Sequence, residues 1–184
     1  MTSAPSEIRK SLPVGVIAER RRIAHPWQEY KWLPVAVIPG AGPVDEWIEV
    51  GKGDNFVRYH IATLAVELFR VETEAYKANL SNPRPAVYVV LREPEDEDDP
   101  VIRAVFATVS PYEAQDYMDT GEDIVEAVTM PDDMIAWVQA FIDMHHEDIP
   151  FKKRKRKNFK EEERIFGKEL SPVEKRFFDP DKLN

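Results

Sequence analysis

Cysteine is absent from the 184 residues, which excludes disulfides, thiolate zinc sites and iron–sulfur ligation by this chain. Glycine is scarce, with seven in all, and none falls in a phosphate-cradling pattern. GAG at 40–42 lacks both the further glycine of a dinucleotide loop and the lysine of a P-loop. No apolar run approaches the ~18 residues of a membrane-spanning helix, and the opening MTSAPSEIRKSLP has no apolar signal core. The expectation is a soluble, cytoplasmic protein without a transmembrane segment. There is no GxSxG elbow, and the four histidines, His25, His60, His145 and His146, lack the H-x-x-x-H spacing of a helical zinc site. No cofactor, metal or catalytic residue is expected from these patterns, and a non-enzymatic role follows.

What is present is enough apolar material for a core, 43% of the chain, and an uneven charge. The net charge is −9 overall, yet residues 151–184 hold 12 Lys or Arg against 7 Asp or Glu. That tail carries +5 and leaves −14 on the first 150 residues. An acidic body repels a phosphate backbone at long range, which counts against wholesale wrapping by nucleic acid.

The pattern along the chain predicts three segments: disordered residues 1–11, a single α+β domain over 12–150, and a partner-binding tail over 151–184. LPVGVIAERRRI, from Leu12, alternates Val14, Val16 and Ala18 with Gly15, Ile17 and Glu19, as a strand does. LPVAVIPG (33–40), EWIEV (46–50), FVRYHIATLAVELF (56–69), VYVVLRE (87–93), VIRAVFATV (101–109) and IVEAVTM (124–130) read as further strands. VETEAYKANL (71–80) fits either a short helix or a hairpin arm. The carboxylates at Glu93 and from Glu95 to Asp99 fit a solvated loop between strands rather than a cation site.

Two helices are expected late in the domain. Ser110-Pro111-Tyr112-Glu113 has a capping serine, a proline at the first helical position and a glutamate that completes a capping box. Ser110 is therefore better read as a cap than as a nucleophile. Pro131 opens the second helix, with Met134, Ile135, Val138, Phe141, Ile142 and His145 at helical spacing. Strands first and helices last predict an α+β fold, with a mainly antiparallel sheet or partly closed barrel of about six to seven strands.

The histidines read as structural groups. His145 and His146 are neighbours on a helix and point about 100° apart, a poor arrangement for sharing one ion. His60 is expected on the apolar strand face with Ala62, Leu64, Val66 and Leu68. Glu67, Glu72 and Glu74 carry no spacing that sets them apart from solvated or ion-paired carboxylates.

Two stretches point to contact with a partner. HPWQEYKW (25–32) concentrates Trp27, Tyr30 and Trp32 beside Arg20 and Arg21, and aromatic and arginine side chains are the usual anchors of binding hot spots. Rings capping the open end of a sheet core account for the same residues equally well. The tail joins the basic run Lys152, Lys153, Arg154, Lys155, Arg156 and Lys157 to spaced apolar groups, Phe151, Phe159, Phe166, Phe177 and Phe178. Charge for capture with apolar anchors for affinity suits a segment that docks on a protein. Nucleic-acid binding through Lys152 to Lys157 is the alternative, and peripheral contact with an anionic membrane surface is a third use of the same residues.

Several stretches together carry a resemblance: LPVGVIAERRRIAHPW (12–27), RYHIATLAVEL with ETEAY and NL (58–80), VSPYEAQDYMDTGEDIVEAVTMP (109–131) and FIDMHHEDIPFKKRKRK (141–157). They resemble an uncharacterised proteobacterial family known as a domain of unknown function. Its genes tend to lie near those for formate dehydrogenase and molybdopterin maturation. The resemblance implies an accessory or assembly protein, or small subunit, for a larger respiratory redox enzyme complex. It is compatible with a cytoplasmic chain that becomes peripheral at the inner membrane through that partner, and it supplies no catalytic residues.

Overall fold

The computed structural model describes residues 9–94 and 102–148. The chain divides into two units, Met1–Glu147 and Asp148–Asn184, and the fold described is that of the first. The expected tail, from Phe151 to Phe178, and the acidic loop at 95–99 lie outside the described residues.

Among the described residues, seven strands form two antiparallel sheets. The first holds β1 (Arg9–Arg22), β2 (Tyr30–Pro39), β3 (Ile48–Lys52) and β4 (Phe56–Phe69) in the order β2-β1-β4-β3. The second holds β5 (Ala86–Arg92), β6 (Arg103–Thr108) and β7 (Ile124–Thr129) in the order β6-β5-β7. Strand β6 lies near β4 and β7 near β2, but neither pair is bonded and no closed barrel results. The α+β expectation holds, as two sheets rather than one. Prolines 34 and 39 sit on β2, an edge strand, where a missing donor N–H costs no ladder bond.

Val14, Val16 and Ala18 of β1, Val66 and Leu68 of β4, and Val87, Val89 and Leu91 of β5 are fully buried in one core. Three helices complete it: α1 (Thr73–Leu80), α2 (Pro111–Thr120) and α3 (Asp132–His145). Helix α3 contributes Met134, Val138, Phe141 and Ile142, the stripe its spacing predicts. Helix α2 packs on the second sheet, where Tyr117 stacks on Phe106 at 5.0 Å between ring centroids. No helix among the described residues is long and apolar enough to cross a membrane.

Three local expectations change. Strand β1 begins at Arg9 rather than Leu12, because Arg9, Lys10 and Ser11 pair with Phe69, Leu68 and Glu67. EWIEV shifts two residues, to a strand from Ile48. The ambiguous 71–80 segment is a helix, entered through a 3-10 turn at Arg70–Glu72. Its helical spacing buries Ala75, Tyr76 and Asn79 together. Asn79 bonds the backbone of Ala86 in both directions and donates to the carbonyl of Val109, which ties the helix to the start of β5 and the end of β6. Tertiary contact decides what local propensity leaves open.

Candidate functional site

The inward positions of β1 run Val14, Val16, Ala18, Arg20, and burial falls off along that row from fully buried to half-buried. Where it falls off, rings take over. Register places Tyr59 opposite Ala18 and Trp32 opposite Arg20. Trp47, at the entry to β3, meets Trp32 edge-on at 5.3 Å and Tyr59 at 5.7 Å. With Arg20 and Tyr30 these rings line a concavity of about 380 Å³, within the size range of ligand and anchor-residue sites.

Two β-bulges aim the rings. Opposite β1, strand β2 carries an extra residue at Val35 and β4 one at Ile61, so Val16 pairs Val37 and Ala62 while Arg20 pairs Trp32 and Val57. An extra residue reverses which side chains face inward beyond it. Tyr59 thereby turns into the cleft. His60 turns the other way, off the face of Ala62, Leu64, Val66 and Leu68 where alternation put it. Its ring lies over Gly15 and within 3.1 Å of the Thr63 hydroxyl, which donates to the carbonyl of Gly42.

Arg20 is the charged group of the cleft. Its guanidinium carbon lies 4.8 Å from the centre of the Tyr30 ring, a cation–π arrangement. Among the described residues, its Nε is the one buried side-chain polar atom without a hydrogen-bond partner. Leaving such a donor unmet costs about 1–3 kcal/mol.

Trp27 stands outside the cleft on the loop between β1 and β2, 91% exposed. The loop is held by the N–H of Ile23 on the carbonyl of Glu29, by an Arg22–Glu29 ion pair and by the N–H of Trp27 on His25 Nδ1. An internally bonded loop thus presents an indole to solvent next to the strands that carry Arg20 and Tyr30.

Arg21, expected beside Arg20 at a partner surface, points to the opposite face. There its Nε donates to Glu19 Oε1 at 2.7 Å, and Arg58 Nε donates to Oε2 at 2.8 Å. Glu19 has 0% exposure, although both arginines remain about half exposed. Burial alone raises a carboxyl pKa, but the bonds from Arg58 and Arg21 and their positive charges outweigh it and hold Glu19 below its ordinary value.

The other candidates are bonded or packed within the fold. Ser110 is buried and caps α2, accepting from the N–H of Glu113 at 3.3 Å. The capping box is relayed: the N–H of Ser110 donates to Thr108 Oγ1, whose hydroxyl in turn donates to Glu113. Ser110 Oγ also contacts Glu72 at 3.3 Å. Burial pushes the nearby Tyr76 phenol up to about 12. The N–H of Phe69 bonded to it acts the other way, and the carboxylates of Glu113 and Glu72 add to the rise. His145 packs its ring 4.6 Å from Phe141, and His146 closes α3 while bonding Lys77 and Thr73. Among the described residues, no group of three metal-ligating side chains converges.

The structure therefore gathers Arg20, Tyr30 and Trp32, adds Trp47 and Tyr59, sets Trp27 nearby and removes Arg21. Trp47 and Tyr59 lie outside the aromatic stretch at 25–32, and only strand register brings them to it.

The profile of the family described as "Protein of unknown function (DUF3305)" matches residues 13–155. This chain belongs to that family. No curated protein and no solved structure matches it.

Proposed function

We propose that this DUF3305 member is a non-catalytic accessory or assembly protein that works by binding a protein partner. The aromatic cleft and the Trp27 loop form its docking face, and the basic segment from Phe151 to Phe178 forms a second contact. The observation that carries the proposal is an indole 91% exposed on an internally bonded loop, beside a cleft of four aromatic rings and one arginine. Contiguous exposed apolar patches mark interaction sites, and Trp, Tyr and Arg dominate the energetics of protein interfaces. The finer identity, a larger redox enzyme complex related to formate dehydrogenase and reached at the inner membrane only through that complex, rests on the family resemblance alone.

The test is capture from gently lysed cells by the tagged full-length chain, beside Trp27→Ala, Trp47→Ala and a variant with Lys152 to Lys157 changed to Ser. A stoichiometric redox enzyme retained by the wild type and lost by the tryptophan variants supports the proposal. Capture indifferent to both tryptophans overturns the docking face. Material that depends on the basic run and disappears with nuclease moves the assignment to nucleic-acid binding through Lys152 to Lys157, where six contacts would make affinity fall steeply with salt.

A further inference from the structure

We infer that the aromatic cleft recognises a carboxylate carried on an apolar peptide segment, with Arg20 as its receptor. The inference rests on the docking reading above and names the chemistry of what docks. Four rings, Tyr30, Trp32, Trp47 and Tyr59, give the cleft its walls, which suit an aliphatic or proline body. Arg20 gives it one unmet need. Among the described residues its guanidinium makes no hydrogen bond or ion pair, and beyond the enclosed Nε it presents its Nη donors in a plane while one face lies against Tyr30. A planar fork of donors matches a carboxylate, and hydrogen bonds between ionised partners are roughly twice as strong as neutral ones.

Two other ligand classes fit worse. Aromatic cages that take quaternary ammonium groups offer free ring faces and no cation of their own, whereas here a guanidinium already occupies the Tyr30 face. Single-stranded nucleic acid also stacks on rings, but it needs a positive groove along its backbone. The first 150 residues instead carry a net charge of −14. A single carboxylate on a neutral segment avoids most of that repulsion and still satisfies Arg20.

The carboxylate can belong to an Asp or Glu side chain or to a chain terminus, so the probes are two peptide pairs. One is acetyl-Pro-Leu-Asp-amide with its Asn counterpart. The other is acetyl-Pro-Leu with a free or an amidated C-terminus. Each is titrated into the full-length protein while the indole N–H signals of Trp32 and Trp47 are followed by NMR. The acid of one pair should bind at least tenfold more tightly than its amide, and the pair that discriminates identifies the source.

Arg20→Gln should erase the preference, and Arg20→Lys should restore part of it because the charge returns without the planar fork. Unchanged Val14 and Val66 methyl signals would show that both variants fold. Equal binding of acid and amide, no binding of either, or tighter binding of a phenethyl trimethylammonium probe or a short oligothymidylate overturns the inference. Those results leave the docking face standing if Trp27→Ala and Trp47→Ala still abolish partner capture. Capture that ignores both tryptophans removes the docking reading itself.

Discussion

Arg20 and Arg21 are adjacent in sequence and face opposite sides of the same sheet. Arg21, with Arg58, is bonded to a fully buried Glu19. Arg20 lies against a ring with a buried donor unmet, in a cleft open to solvent. The first site has satisfied its charges within the chain, as a fold requires of buried groups. The second has not, although Glu29 is near enough in sequence to pair Arg22. An arginine bonded to a buried carboxylate holds a structure together, and one whose guanidinium meets no acceptor among the described residues is available to a ligand.

The largest stability effect belongs to the satisfied side. Glu19→Gln strips one charge from between two guanidinium groups and should cost about 2 kcal/mol, read as a fall in the urea midpoint at pH 7. The figure is kept below that of a deep ion pair because Arg21 and Arg58 are half exposed and water can rehydrate them. The sign with pH follows from the direction of the shift. Glu19 is held below its ordinary 4.5 when folded, so its contribution is complete above pH 4.5 and is lost as pH falls through the depressed folded value. The wild type and Glu19→Gln should therefore converge in stability in acid. A gap that stays constant from pH 7 to pH 3 would count against the clamp. Some acid sensitivity should persist in both proteins, since Arg92 bonds Asp123 and lowers its pKa as well.

Next in size is Gly15→Ala, on the same outer face. A Cβ there would lie 2.8 Å from His60 Nε2 and 2.9 Å from the Ala41 Cβ. The His60 ring can swing only by giving up its contact with Thr63, and the Ala41 methyl is fixed to the loop backbone. The expected cost is about 1–2 kcal/mol, again by denaturant midpoint, and Thr63→Ala made in the same background should recover part of it.

The two faces also differ in how well the sequence foretells them. The strands, the cap at Ser110 and the apolar stripe of α3 are legible because each depends on residues within one turn or one alternation. The cleft is only half legible. Trp32 and Tyr30 stand out as part of an aromatic cluster, but Trp47 and Tyr59 reach it through strand pairing across 15 and 27 positions from Trp32. Strict alternation moreover puts Tyr59 outside and His60 inside. The bulge at Ile61 reverses both, and an extra residue in a long apolar strand leaves no mark in the pattern. Alternation does separate Arg20 from Arg21, yet a cluster read by composition merges them. Helix α1 stays undecided in sequence because what selects it, Asn79 bonded to Ala86 and to Val109, 30 residues on, lies outside the helix's own pattern.

Arg20→Gln is the mirror of Glu19→Gln. It removes a donor that has no partner and a cation–π contact worth about 0.5–1 kcal/mol, two changes of opposite sign. Stability should stay unchanged or rise by up to about 2 kcal/mol, while partner capture should fall at least tenfold. A loss of stability as large as that of Glu19→Gln would mean that both arginines serve the fold, and the contrast between the two faces would disappear.

Trp27→Ala should have the smallest effect on the fold. With 91% of its surface exposed, the indole contributes little burial, and surface substitutions usually fall within about 0.5 kcal/mol. The loop keeps its Arg22–Glu29 pair and the bond from Ile23 to Glu29, neither of which involves the Trp27 side chain. Unaltered thermal unfolding combined with lost partner capture would place its entire role in contact with another molecule. Destabilisation by more than 1 kcal/mol would instead show that the ring is covered within the chain in solution, and the docking face would then have to stand on the cleft alone.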